Sequence, residues 1–230
     1  MLGGDRSRAG AGLSCKTCRL AKDRRLAGRL GNRLCGASAP DHNLCMRLFI
    51  GIPLAAAVIG ELAAITARLQ SSGRGLRWMA RESWHITLQF LGNAGAEQYG
   101  CAVARLRELH LPPTPIKIEG LSCLDRAGIL LAAVRPTPEL LLLQKRVSAA
   151  TQLCGFIPEA RPYQPHITLA RSQGKGQRHD LRELQAKLRR PPHFTSFAAG
   201  EFLLYESFLA PSGSRYEIRA RFPLGRPSSL

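Results

Sequence analysis

After residue 45, hydrophobic and polar residues follow two repeating patterns along the chain. Some segments alternate hydrophobic and polar positions, as a half-buried β-strand does, and others repeat hydrophobic residues at spacings of three and four, as an amphipathic α-helix does. The first pattern predicts strands over residues 47–52, 76–79, 83–91, 116–124, 129–134, 166–171, 194–208 and 216–222. The second pattern predicts helices over residues 55–69, 97–109, 138–154 and 181–188.

The order of these segments indicates the fold class. Strands and helices alternate irregularly, and the strands over 116–124 and 129–134 form a predicted hairpin. Regular alternation of strand and helix would favour a doubly wound parallel sheet, whereas hairpin neighbours favour antiparallel pairing. Gly92 and Asn93 are interpreted as a turn that ends the strand before them. The sequence therefore predicts an α+β fold with mainly antiparallel sheets.

Two of the predicted strands contain the same tetrapeptide, His-Ile-Thr-Leu, at residues 85–88 and 166–169. Alternation puts the histidine and threonine of each copy on one face of its strand and the isoleucine and leucine on the other. Each copy alone is typical of a buried strand whose polar side chains make local hydrogen bonds, but recurrence of all four residues favours a shared site. Brought together across a cleft, His85, Thr87, His166 and Thr168 would form a metal-free site for a phosphate.

The paired tetrapeptides resemble those of the 2H phosphoesterase superfamily, in particular its bacterial and archaeal RNA 2',3'-cyclic phosphodiesterases, once called 2'-5' RNA ligases. The resemblance continues in segments 46–54, 77–92, 161–171 and 204–224, so it covers nearly all of the chain after residue 45. It implies a bilobal 2H phosphoesterase fold with a pseudo-two-fold axis. In that fold mainly antiparallel sheets face a central cleft, with the helices outside.

The resemblance also implies a reaction and its residues. Opening a cyclic phosphodiester with water requires a base for the water and an acid for the leaving oxygen, and histidine can serve as either near neutral pH. By resemblance His85 is the proton donor and His166 the proton acceptor, although the sequence itself leaves that order open. Thr87 and Thr168 would bind the non-bridging phosphate oxygens. No metal or other cofactor is expected.

Two further residues follow the histidines at equal spacing. Arg171 matches a position where the family has a phosphate-facing arginine, and a solvated arginine at a strand end is the alternative. Phe90 occupies a position that contacts the substrate base by resemblance, but simple alternation puts it on the face opposite His85, which favours core packing unless the strand bends. Trp84 and Tyr163 are interpreted as structural rather than as stacking surfaces for a base.

The charge of the chain bears on its partner. It has 33 Lys and Arg against 16 Asp and Glu, a formal net charge of +17, which favours polyanions such as RNA. Together with this charge, the family resemblance implies RNA ending in a 2',3'-cyclic phosphate as the substrate, with the joining of RNA ends through a 2'-5' linkage as a side activity. The alternatives are a non-catalytic RNA- or nucleotide-binding module on the same fold and a phosphodiesterase for a small cyclic nucleotide.

Residues 1–45 differ from the rest of the chain. They are basic, rich in glycine and without a hydrophobic pattern, which predicts a disordered extension or a mis-assigned start before a 2H domain over 46–226. The seven cysteines are expected to be reduced thiols in a cytoplasmic protein. A zinc site formed by Cys15, Cys18, Cys35, His42 and Cys45 is disfavoured by its spacing. No membrane segment is predicted, and a monomer is expected.

Overall fold

The computed structural model describes residues 45–71, 75–124, 127–172, 184, 193–210 and 213–225. Its helices are α1 (Ala56–Gln70), α2 (Ala96–Arg107) and α3 (Pro138–Gln152), with a short 3-10 turn at Arg81–Ser83. Its strands are β1 (Met46–Pro53), β2 (Leu76–Trp78), β3 (His85–Ala94), β4 (Thr114–Ile116), β5 (Ile118–Leu124), β6 (Ile129–Val134), β7 (His166–Ser172), β8 (Phe197–Ala199), β9 (Glu201–Ala210) and β10 (Gly213–Pro223). The extension over 1–44 and the helix predicted over 181–188 lie outside the described residues, apart from Leu184.

Eight strands form one sheet, in the order β10-β9-β1-β3-β7-β6-β5, with β2 paired to β7. A separate pair consists of β4 and β8. Every strand pairing in the described residues is antiparallel, as the hairpin pattern predicts. The two central strands, β3 and β7, are joined only where Ile86 pairs with Ile167. That single junction divides the sheet into two lobes, and each lobe contains one tetrapeptide at the junction.

The two lobes repeat the same unit, a strand, a helix and a histidine strand. In the first lobe β1 leads through α1 to β3, and in the second β6 leads through α3 to β7. The short strand β2 lies between α1 and β3 in the chain but pairs with β7 of the second lobe. The registers correspond as well: Ile52 pairs with Ile86, Ala132 with Ile167, Gly51 with Thr87, and Leu131 with Thr168. The pseudo-two-fold relation therefore extends from the tetrapeptides to the neighbouring strands.

Both histidine strands contain an irregularity at the same point. Between the pairs that follow Thr87 and Thr168 the register shifts by one residue, which leaves Leu88 and Leu169 as extra residues. A β-bulge of this kind turns the residues that follow it relative to the sheet. The alternation of faces consequently changes after each bulge, and this decides where the later residues of both strands point.

The hydrophobic core lies on the face of the sheet opposite the histidines. Ile86, Leu88, Ile167 and Leu169 are all buried in it, so the apolar half of each tetrapeptide anchors its strand as predicted. The helices contribute their apolar sides to the same core. The buried residues of α1 are Val58, Leu62, Ala63, Ile65 and Thr66, and those of α3 are Leu140, Leu143, Val147, Ala150 and Thr151.

Two sequence predictions are wrong in the described residues. Gly92 and Asn93 do not end a strand, because β3 continues to Ala94, with Gly92 at φ +76° beside a register shift. Nor are all cysteines reduced: Cys101 and Cys154 form a disulfide with a Cα–Cα distance of 5.7 Å, because α2 packs against the end of α3. Among the described residues, Cys45 and Cys123 are free thiols. No described helix has the length and apolarity needed to cross a membrane.

Candidate active site

The junction between the lobes brings the four polar residues of the tetrapeptides onto one face. Because Ile86 and Ile167 pair and both point into the core, their neighbours His85, Thr87, His166 and Thr168 all point to the opposite face. These four side chains are half-buried, unlike the apolar residues between them. The four residues flank the single pair of Ile86 and Ile167, and His166 is near enough to His85 to affect its charge. The structure therefore brings the four polar side chains together at the centre of the sheet.

Each histidine is held by a backbone carbonyl two residues before it. The distance from His85 Nδ1 to the Ser83 carbonyl oxygen is 2.7 Å, and that from His166 Nδ1 to the Gln164 carbonyl oxygen is 2.8 Å. A carbonyl only accepts hydrogen bonds, so Nδ1 carries the hydrogen in both rings. This leaves Nε2 of each ring for proton transfer. In the first lobe Nε2 lies 3.1 Å from Thr87 Oγ1.

The surroundings of His85 are aromatic. Its ring centroid lies 4.7 Å from that of Phe49, 5.3 Å from that of Tyr216 and 5.8 Å from that of Tyr205. Burial among these rings lowers the pKa of His85 to about 4; the hydrogen bond to Ser83 opposes this, and the positive charges of His166 and Arg171 add to it. His85 is therefore neutral at pH 7 unless a nearby negative charge raises its pKa.

Gly51 allows this position of the His85 ring. A Cβ atom on Gly51 would lie 3.0 Å from the Ile86 carbonyl oxygen and 3.2 Å from His85 Cδ2, both closer than side-chain atoms normally approach. The residue in the corresponding register position of the second lobe is Leu131, which has a full side chain. The two lobes therefore differ at this register position, and the His85 ring packs against β1 backbone at a residue that has no side chain.

The bulges place Phe90 and Arg171 on the histidine face. Phe90 is 70% exposed, and its ring centroid lies 6.1 Å from that of Phe49 beside His85. Arg171, at the same spacing after His166, is also exposed. Core packing of Phe90, which simple alternation favours, is therefore excluded, because the bulge at Leu88 turns the strand. The residue that the bulge turns inward instead is Gln89, which is buried and accepts a hydrogen bond from Thr151 at 2.8 Å.

The other candidates from the sequence are structural or distant. Trp84 is buried in the core, which confirms its structural role. The Tyr163 hydroxyl donates to the Thr87 carbonyl at 2.9 Å and links the segment before β7 to β3; burial raises the pKa of Tyr163. His110 and His193 are exposed, whereas His42 and His179 lie outside the described residues.

Sequence patterns did not reveal the residues that surround His85. Gly51, Phe49, Tyr205 and Tyr216 come from β1, β9 and β10, and only the pairing of those strands brings them to the site. The two segments of β9 and β10 could be recognised as strands, but not their place in the sheet. In the described part of the chain, no group of three or more His, Cys, Asp or Glu side chains could hold a metal ion.

Comparisons with known proteins agree with this fold. The family described as LigT like Phosphoesterase matches residues 52–130 and 132–216. The RNA 2',3'-cyclic phosphodiesterase of Geobacillus stearothermophilus is 29% identical over 184 residues, which make up 76% of this chain and 56% of that protein. The RNA 2',3'-cyclic phosphodiesterase of Archaeoglobus fulgidus is 26% identical over 175 residues, or 75% of this chain and 97% of that protein. The crystal structure of E. coli LigT in apo form has a TM-score of 0.66 and 25% identity, and the match covers 79% of this chain and 99% of that one.

The two histidine strands on one face of a bilobal antiparallel sheet define a 2H phosphoesterase. The family match covers both lobes and more than half of the sequence, and the chain belongs to the LigT-like phosphoesterase family. It spans little more than half the length of the Geobacillus relative, and nearly all of the Archaeoglobus relative.

Proposed function

We propose that this protein hydrolyses the 2',3'-cyclic phosphate at the end of an RNA strand to a 2'-phosphate, with His85 and His166 as acid and base and without a metal. The observation that carries the proposal is the matched presentation of two imidazoles. Both have Nδ1 held by a backbone carbonyl, and each shares a face of its strand with the threonine two residues later. Relatives that span most of this chain and bear the name RNA 2',3'-cyclic phosphodiesterase support the choice of substrate.

The reaction needs one neutral and one protonated histidine. His166 Nε2 takes a proton from water, and the water oxygen forms a bond to phosphorus. The bond between phosphorus and the 3' oxygen breaks on the opposite side, and His85 Nε2 donates a proton to that oxygen. The product is a 2'-phosphate with a free 3'-hydroxyl. The pseudo-two-fold relation of the two histidine strands supports the assignment of one histidine to attack and the other to departure.

The surroundings of His85 impose a condition on this order. Burial lowers the pKa of His85 to about 4, which disfavours the protonated form that a proton donor requires. A cyclic phosphate carries one negative charge, and its arrival beside the ring favours protonation of His85. In this proposal substrate binding itself charges the acid. The opposite order, with neutral His85 as base, is kinetically equivalent when one proton is shared between the two rings.

Other side chains on the same face stabilise the substrate. Thr87 and Thr168 donate hydroxyl hydrogen bonds to the non-bridging oxygens, where negative charge increases in the transition state. Arg171 supplies positive charge on the His166 strand. The exposed Phe90 ring, next to Phe49, offers a stacking surface for the terminal base.

The test uses an RNA oligonucleotide that ends in a 2',3'-cyclic phosphate, incubated with the purified full chain in EDTA. We expect conversion to the 2'-phosphate, identified against 2'- and 3'-phosphate standards. The variants His85→Gln and His166→Gln should each lose a factor of about 10² to 10⁴ in kcat. His110→Gln is the matched control, since His110 is an exposed histidine on the segment after α2, and it should retain full activity.

The assay also separates this function from its alternatives. RNA binding without turnover would indicate a non-catalytic binding module, and a requirement for added metal would contradict the metal-free mechanism. Turnover of small cyclic nucleotides but not of oligonucleotides would indicate the small-substrate phosphodiesterase. Joining of two RNA ends through a 2'-5' linkage without ATP would be the reverse of a related phosphodiester cleavage at the same histidines. This activity should be lost in His85→Gln and His166→Gln.

A further inference from the structure

Two arginines face each other across neighbouring strands beside the candidate active site. In the antiparallel pair of β2 and β7, Arg77 is the direct partner of Arg171. Both side chains are exposed. The flanking residues Leu76 and Ala170 are buried in the core, which agrees with the two arginines pointing to the opposite face.

That face is the histidine face. The bulge at Leu169 puts Arg171 on the same side of β7 as His166, and direct partners in a sheet share a face, so Arg77 is on this side too. β2 pairs with the same edge of β7 that meets β3 at Ile167. Arg77 therefore stands on the same strand edge as the junction between the lobes, further along β7 from His166.

The arrangement concentrates positive charge that no salt bridge among the described residues neutralises. Like charges directly opposite in a sheet are destabilising. Within the described residues, no Asp or Glu side chain forms a salt bridge with Arg77 or Arg171, whereas Arg219 is paired with Glu206 at 2.6 Å and Arg221 with Glu201 at 2.7 Å. A bound anion would remove the repulsion. The guanidinium group suits a phosphate in particular, because its N–H groups match two phosphate oxygens at once.

We propose that Arg77 and Arg171 together bind a second phosphate of the RNA, the phosphodiester on the 5' side of the nucleotide that carries the cyclic phosphate. The inference rests on the proposed function. A cyclic phosphate occupies the 3' end of its strand, so every other phosphate of the substrate lies on the 5' side, and the nearest is the internucleotide phosphate. Arg171 has five N–H donors, enough to contact the reacting phosphate and its neighbour. Arg77 is then a specificity-determining residue that favours oligonucleotides over mononucleotides.

The experiment compares three substrates that share the same reacting end. They are a nucleoside 2',3'-cyclic phosphate, a dinucleotide with a 2',3'-cyclic phosphate, and the same dinucleotide with an uncharged methylphosphonate between its nucleosides. The variants are Arg77→Gln and, as the matched control, Arg68→Gln, which removes an exposed arginine from the last turn of α1. The kcat/KM of each variant is measured for each substrate at fixed salt concentration.

We expect Arg77→Gln to lower kcat/KM for the charged dinucleotide about tenfold, the equivalent of one charge-assisted contact. The loss on the other two substrates should be several-fold smaller, and Arg68→Gln should change none of the three values. The salt dependence offers a second readout: for the charged dinucleotide, kcat/KM should fall less steeply with rising salt in Arg77→Gln than in the unmodified protein. Arg77→Lys, which keeps the charge but not the fork of donors, should retain the salt slope and recover part of the activity.

The outcomes separate this inference from the proposed function. If Arg77→Gln lowers kcat/KM equally for all three substrates, or for none of them, the second phosphate site is refuted. Turnover of these substrates by the unmodified protein would still support the proposed function. If the unmodified protein turns over none of the substrates, or if its turnover does not depend on His166, both the proposed function and the second phosphate site are refuted. A folding defect is detected directly, because removing one of two facing charges should leave the free energy of unfolding unchanged or higher.

Discussion

The substitution Gly51→Ala tests whether the position of His85 depends on the bare backbone of β1. The new methyl group would lie 3.0 Å from the Ile86 carbonyl oxygen and 3.2 Å from His85 Cδ2. The carbonyl belongs to the strand at the junction of the lobes and cannot easily move. The imidazole is therefore the group that moves, away from β1, while the ring of Tyr205 lies 3.6 Å from the new methyl group, at ordinary contact distance.

The magnitude follows from the crowding. An extra methyl group in a packed position costs roughly 1–3 kcal/mol in free energy of unfolding. The effect on kcat is expected to be large, because displacement of a reacting group by about 1 Å can lower the rate about 10²-fold. Since the defect concerns proton transfer rather than binding, kcat should fall while KM changes little. The fall in kcat should exceed what the loss of folded protein explains.

The assay measures unfolding by urea together with kcat and KM for Gly51→Ala and for Gly60→Ala. Gly60 lies on the exposed side of α1, and a methyl group added there would have no other atom within 4 Å. The same chemical change should therefore raise the free energy of unfolding by roughly 0.5–1 kcal/mol and leave kcat unchanged. If Gly51→Ala has unchanged stability and unchanged kcat, the packing of His85 against β1 does not determine its catalytic position, and the reasoning fails.

Three further outcomes follow from the structure. His85 binds a proton near pH 6.5 in the unfolded chain but only near pH 4 in the folded chain. The free energy of unfolding should therefore rise by about 3 kcal/mol as the pH increases from 4 to 6.5, and this stabilisation should be complete above pH 6.5. The rise should be absent in His85→Gln. Reduction of the Cys101–Cys154 disulfide, which closes a loop with a sequence separation of 53, should lower the free energy of unfolding by at most about 4 kcal/mol. Phe90→Ala should raise KM for a cyclic-ended oligonucleotide by the equivalent of about 1–3 kcal/mol, with kcat nearly unchanged, if the ring stacks on a base.

Each of these outcomes has its own control. The pH measurement is compared with His110→Gln, whose exposed ring should leave the pH dependence unchanged, and an identical slope in His85→Gln would contradict the burial of His85. The reducing agent should have no effect on the double variant Cys101→Ala, Cys154→Ala. Loss of folding in Phe90→Ala would contradict the exposed position of that ring.

The sequence alone was sufficient for the local features of this protein. Alternation within His-Ile-Thr-Leu assigns two residues to the core and two to the opposite face, and the structure has Ile86 and Ile167 buried with His85 and His166 on the other side. Helix periodicity locates α1, α2 and α3 to within a few residues. These features depend on the chain within about ten positions, where the periods of strand and helix are decisive. The repeated tetrapeptide carried the family resemblance for the same reason.

Tertiary structure decided how these pieces act together. The bulges at Leu88 and Leu169 turn Phe90 and Arg171 to the histidine face, and a bulge depends on the pairing of two strands rather than on either strand alone. Gly51 becomes important only because β1 pairs with β3. The disulfide between Cys101 and Cys154 arises because α2 and α3 pack together, which no spacing in the sequence indicates. Contacts between distant segments set burial and charge, and these determine which form of His85 the site holds.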